Sequence, residues 1–102
     1  MAEDTGNGAG IEFLRARIEE LDSAMIRILG ERFAHVRLLG RRKALADLPL
    51  ENPAREAELR ALYLHAAQRE GLDPRLVLQI FEAVHAHSKA VQGAEARRPK
   101  TA

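Results

Sequence analysis

The sequence predicts an all-α fold: three helices per chain with a long first helix, assembled as a helical homodimer in which the long first helices lie alongside each other. Three observations lead there. Apolar residues recur at spacings of three and four, β-branched alternation is lacking, and turn signals break the pattern at only two interior places, near Pro49 and near Gly71. The first helix runs from about Ile11 to about Ala46 and stops before Pro49, whose ring biases Leu48 away from helical geometry. About 35 residues rising about 1.5 Å each make a rod of about 50 Å. A compact 100-residue domain has a radius of gyration of about 13 Å, so half of such a rod would carry its apolar stripe into water. A second copy is therefore expected to cover it, two-fold symmetry being the commonest closure. The alternative is a break near Gly40, since glycine inside a helix costs about 1 kcal/mol relative to alanine.

Asn52 reads as an N-cap with Pro53 at the first helical position, opening a second helix that closes near Gly71. Asp73 and Pro74 repeat the device, and the third helix continues to about Val91 or somewhat beyond. Residues 1–10, Gly-rich and polar, and the basic residues 93–102 offer little to bury and are expected to be flexible, leaving 11–92 as one helical domain.

Composition narrows the chemistry. A chain of 102 residues with 46 % hydrophobic and 30 % charged residues suits a single globular unit. Cysteine is absent, which removes disulfides, thiolate metal sites and cysteine nucleophiles; no metal site or cofactor is expected. A formal charge of +1 lacks the one-sided field of a nucleic-acid binder. Glu3 and Asp4 stand where a secretory signal would be positive, and no unbroken apolar span follows, so a cytoplasmic protein without membrane contact is expected.

Two cations sit where apolar residues belong. Stepping about 100° per residue, the stripe of the first helix comprises Leu14, Ile18, Leu21, Met25, Leu29, Val36 and Leu39, and Arg32 and Lys43 fall within about 20° of its centre. An unpaired buried charge costs several kcal/mol, so each must either snorkel to water or face a polar cavity that receives an anion. The second helix adds Arg55 and Glu56 near the side marked by Leu59, Leu62, Tyr63 and Ala66. On the third, Val77, Ile80, Phe81 and Val84 lead along one face to Ser88, with Gln92 at its edge. The plainer readings are a Ser88 hydroxyl bonded back to its own helix, a solvated Gln92 amide, and an Asn52 that only caps. Arg15 flanks the same stripe but lies 28 residues from Lys43, about 42 Å along one rod, and reaches that cavity only from an antiparallel partner.

These residues resemble those of a known family, the all-helical (type II) chorismate mutases. LRARIEELDSAMIRILGERFAHVRLLGRRK is similar to the family's first helix, with LR, LD at Leu21 and Asp22, ER at Glu31 and Arg32, and G-x-x-K from Gly40 to Lys43. NPAREAEL is similar to the start of its second helix, GLDP to its helix junction, and IFEAVHAHSKAVQ to its third helix, so the likeness covers about Ile11 to Gln92. The resemblance implies an intertwined dimer converting chorismate to prephenate in the shikimate branch toward aromatic amino acids. It implies that Arg32 and the other subunit's Arg15 bind carboxylates, that Lys43 and Gln92 hydrogen-bond the ether oxygen of the breaking bond, and that Glu56 holds the ring hydroxyl. Ser88 and Arg55 would support the carboxylate end. Asn52 departs from the Asp often found near that hydroxyl, and His85 from a commoner aliphatic residue; a packed or partly exposed histidine is the expectation there. Docking of a larger shikimate-pathway enzyme on the surface is left open.

The residue types suit that chemistry. The rearrangement is unimolecular and needs no nucleophile, metal or redox group. It needs a folded, pseudo-diaxial conformer, which cations at two carboxylates hold, and fixed donors where negative charge grows on the ether oxygen. An amide at Gln92 donates at any ordinary pH. Related readings are an isochorismate-pyruvate lyase or a mutase of the 4-amino analogue, both of which tend to have an apolar residue where Glu56 stands. A reading of another class is a non-enzymatic helical dimer whose inner charges pair with Asp22, Glu31 and Glu56.

Overall fold

The computed structural model describes residues 8–99, and the expected flexible ends fall, for residues 1–7 and 100–102, outside the described residues. Three helices and no strand are present among the described residues: α1 (Gly8–Leu45), α2 (Pro53–Arg69) and α3 (Pro74–Ala96). Helix α1 has 38 residues, about 57 Å of rise, and is unbroken at Gly40. The chain divides into two compact units, residues 1–34 and 35–102.

The first unit holds the N-terminal part of α1. Its apolar stripe is exposed in the single chain, with Leu14 60 % and Met25 55 % accessible, so this stretch is stabilised by its own backbone and side chains rather than by a core. Ion pairs one turn apart contribute a few tenths of a kcal/mol each, on the order of 0.2–0.5. They join Arg15 to Glu12 (3.0 Å), Arg17 to Glu20 (3.1 Å) and Arg27 to Glu31 (3.2 Å).

The second unit holds the end of α1, α2 and α3. The last turns of α1 meet α3 through Gly40: a Cβ added there would lie 2.8 Å from the Gln92 Cα. Glycine is thus required by close approach of two backbones, which outweighs its cost in helix propensity. Val36, one turn earlier, is 8 % exposed. Helix α1 then ends in a Schellman motif: Leu48 N–H donates to the Lys43 carbonyl (2.8 Å) and Asp47 N–H to that of Ala44 (3.2 Å). Asp47 takes the left-handed conformation (φ 56°) that glycine usually supplies.

Asn52 caps α2 by accepting from Arg55 N–H (3.2 Å), with Pro53 in the first turn as expected. The helix closes in a second Schellman motif, in which Leu72 N–H donates to the Ala67 carbonyl (2.9 Å) and Gly71 is left-handed (φ 70°). Asp73 caps α3 by accepting from Arg75 N–H (2.9 Å), and the Arg75 guanidinium also donates to its carboxylate. Beyond Val91, residues 92–96 remain helical; Pro99, which disfavours helix in its predecessor, follows the Arg97 cap. Helices α2 and α3 run antiparallel, since Tyr63 stacks on Phe81 (centroids 4.1 Å apart) while Glu56, two turns earlier, meets Lys89, two turns later.

Two outcomes follow for stability. Gly40→Ala is expected to lower the melting temperature, because a side chain forced against the Gln92 backbone costs about 1–3 kcal/mol and exceeds the propensity gain; thermal unfolding followed by circular dichroism checks this, and a rise contradicts it. Hydrogen bonds from the Arg75 side chain and backbone hold the Asp73 carboxyl below its ordinary value of 3.8. A depressed carboxyl contributes stability above its unfolded value and loses it as pH falls through the lower folded one. Asp73→Asn should therefore flatten part of the stability loss below about pH 4 in acid titrations, relative to the parent chain.

Candidate functional site

The C-terminal end of α1 sets the first functional side chain. Lys43 lies one turn after Gly40, so the close backbone approach that Gly40 permits places its ammonium beside α3. There Lys43 Nζ donates to Gln92 Oε1 (3.1 Å) and to the Leu50 carbonyl (3.0 Å). Leu50 is available because the Schellman turn and Pro49 send the chain back past the helix end. An ammonium has no acceptor, so the Gln92 amide must turn its oxygen to Lys43 and its N–H groups elsewhere. Gln92 is 8 % exposed, and its side chain makes no other hydrogen bond among the described residues.

Lys43 is half-buried, and among the described residues no carboxylate lies within ion-pair distance of it. Two neutral oxygens hold the cation and leave its third proton without a partner among those residues. Sequence reasoning placed Lys43 and Gln92 at one site, and the structure brings them together across 49 residues.

Ser88, one turn before Gln92 on α3, is 6 % exposed and donates to the Val84 carbonyl (2.7 Å), the back-bond its plainer reading supposed. Arg55 pairs with Glu58 (3.1 Å) on the exposed side of α2. Asn52 caps. In the first unit, Arg32 lies over the Phe33 ring (5.4 Å) and is half-buried, while Arg15 is exposed and paired with Glu12. Of the acids that a closed, ion-paired core would use, Glu31 bonds Arg27 and Glu56 meets Lys89 rather than Lys43.

Two features escaped the sequence reasoning. Lys89 bridges Glu51 (3.2 Å) and Glu56 (3.7 Å), and its ammonium is pushed above its ordinary 10.5 by the hydrogen bond with Glu51 and the charges of both acids. Neither helical register nor the family resemblance marks Lys89, whose pairing depends on how α2 lies against α3. The other is the contact of His85 Nε2 with the Tyr63 hydroxyl (2.8 Å); His85 itself packs edge-on against Tyr63 and Phe81, a half-buried histidine as expected. Glu56, Tyr63, His85 and Lys89 line an open groove of about 770 Å³ between α2 and α3, to which Lys43 and Gln92 do not contribute. Among the described residues no cluster of three or more His, Asp or Glu is placed to hold a metal, and no helix is long and apolar enough to cross a membrane.

Three helices, with an ammonium and an amide in contact and no carboxylate between them, are the features to set beside known proteins. The chain matches the family model of the chorismate mutases of type II over residues 14–93 and belongs to that family. No curated protein matches it.

Proposed function

We propose that this protein is a chorismate mutase, an isomerase carrying out the intramolecular [3,3] rearrangement of chorismate to prephenate as a homodimer. The observation that carries the reading is the half-buried Lys43 ammonium, held by neutral oxygens alone beside an amide with free N–H groups. Such a cation is poised for an anionic guest. In this reading Lys43 and Gln92 both donate to the ether oxygen. As the C–O bond breaks and negative charge grows there, these donors gain more interaction in the transition state than in the ground state.

The remaining residues take the roles the family resemblance implies. Arg32 and Arg15 of the second copy bind the two carboxylates and hold the folded conformer, for which the planar guanidinium is suited. Arg55 and Ser88 support that end; Ser88, whose proton is given to Val84, does so as an acceptor or by reorienting. Glu56 accepts from the ring hydroxyl, with Asn52 contributing at most a neutral contact besides its cap. The exposed apolar stripe from Leu14 to Leu29 supports an assembly in which the long helices of two copies cover one another.

Glu56 favours chorismate over isochorismate or the 4-amino analogue as the preferred substrate. A non-enzymatic dimer is disfavoured because its core would pair Lys43 with an acid, whereas Glu56 meets Lys89. Incubation of the purified protein with chorismate should consume its ultraviolet absorbance and yield prephenate. Lys43→Ala, with its helical circular dichroism retained, should lower kcat by about 10²–10³. Near-parental turnover in that variant would defeat the role given to Lys43.

A further inference from the structure

Glu56 and Lys89 meet across the groove between α2 and α3, with Lys89 Nζ 3.7 Å from Glu56 Oε2 and 3.2 Å from Glu51 Oε1. Both line an open groove between the two helices, so the pair is accessible from solvent rather than enclosed in packed core. Its value for stability is small, because partly exposed ion pairs lose to water and side-chain entropy most of what they gain. Its effect on charge is larger. One ammonium fixed between two carboxylates keeps the Glu56 oxygen oriented and sets a positive charge next to whatever that oxygen binds. Lys89 and its two acids together carry one net negative charge, so Lys89 halves the negative charge that a ligand beside Glu56 would otherwise meet.

We propose that Lys89 is a specificity-determining residue, which orients the Glu56 carboxylate and selects a neutral ring hydroxyl over a protonated amine at the same position of the substrate. The inference rests on the reading of Glu56 as the partner of the ring hydroxyl. A hydroxyl donates one proton to Glu56 and meets Lys89 only as a dipole, whereas an ammonium meets a like charge at short range. A neutral side chain in place of Lys89 would leave the charges of Glu51 and Glu56 uncompensated, and these draw an ammonium more strongly than a hydroxyl. Lys89 acts through Glu56 and through its field; it need not touch the substrate.

The test compares kcat/KM for chorismate and for its 4-amino analogue in the full-length protein and in Lys89→Met, Lys89→Gln and Lys89→Arg. The parent protein should prefer chorismate. Lys89→Met and Lys89→Gln should each shift the ratio toward the amino substrate by about tenfold, mainly through KM, while Lys89→Arg keeps the parental ratio. A general disturbance of the fold lowers both substrates alike and leaves the ratio where it was. If the parent converts chorismate and the ratio is unchanged in the Met and Gln variants, the inference falls and the mutase reading stands. If the parent converts neither substrate, both fall.

Discussion

The hydrogen bonding of one ammonium constrains much of the second unit. Lys43 is half-buried and is solvated by the Leu50 carbonyl and the Gln92 amide oxygen. A cation withdrawn from water without an opposite charge is costly, and only well-placed dipoles make it tolerable. Each dipole has its own structural cause. Gly40 lets α1 approach the Gln92 backbone, and the Schellman turn with left-handed Asp47, followed by Pro49, brings Leu50 back beneath the helix end. The carbonyls at the C-terminal end of α1 also favour a cation in its last turn. The unsatisfied part of that electrostatics is what the proposed reaction uses, because an oxygen acquiring negative charge supplies the counter-charge that the resting site lacks.

Charge is handled differently elsewhere. Along residues 8–34, Arg15, Arg17 and Arg27 pair with acids one turn away and remain exposed, so they serve helix formation, while the half-buried Arg32 lies over the Phe33 ring. Between α2 and α3 a lysine bridges two acids at the rim of a groove. Lys43 alone among these is held by neutral oxygens, and this contrast, rather than the number of inward charges, favours the proposed anion site over an ion-paired scaffold. In the single chain the apolar stripe of the first unit has no cover of its own, which is the physical reason for proposing a second copy.

The helices were legible because their ends are written in short-range chemistry. Asn52 with Pro53, Asp73 with Pro74, and Gly71 all act within a few residues, and each does what its type suggests. The end of α1 was legible only through Pro49, since Asp47 carries no outward mark of a left-handed residue. Gly40 looked like a candidate break because propensity is local, whereas the backbone it meets lies 52 residues away on α3. Lys43 and Gln92 were found together by helical register and family likeness; that Gln92 presents its oxygen to Lys43 follows from the partner's chemistry. The bridge from Lys89 to Glu51 and Glu56 depends on how α2 lies against α3, which periodicity along one chain does not encode.

In the proposed enzyme each active site takes Lys43 from one chain and Arg15 from the other. The most direct measurement co-refolds an Arg15→Ala chain with a Lys43→Ala chain and assays the mixture with chorismate. Random pairing makes half of the dimers hybrid, each with one complete site, so activity should recover to about a quarter of the parental value although either variant alone is nearly inactive. A mixture no more active than its components, with subunit exchange verified, would contradict the account.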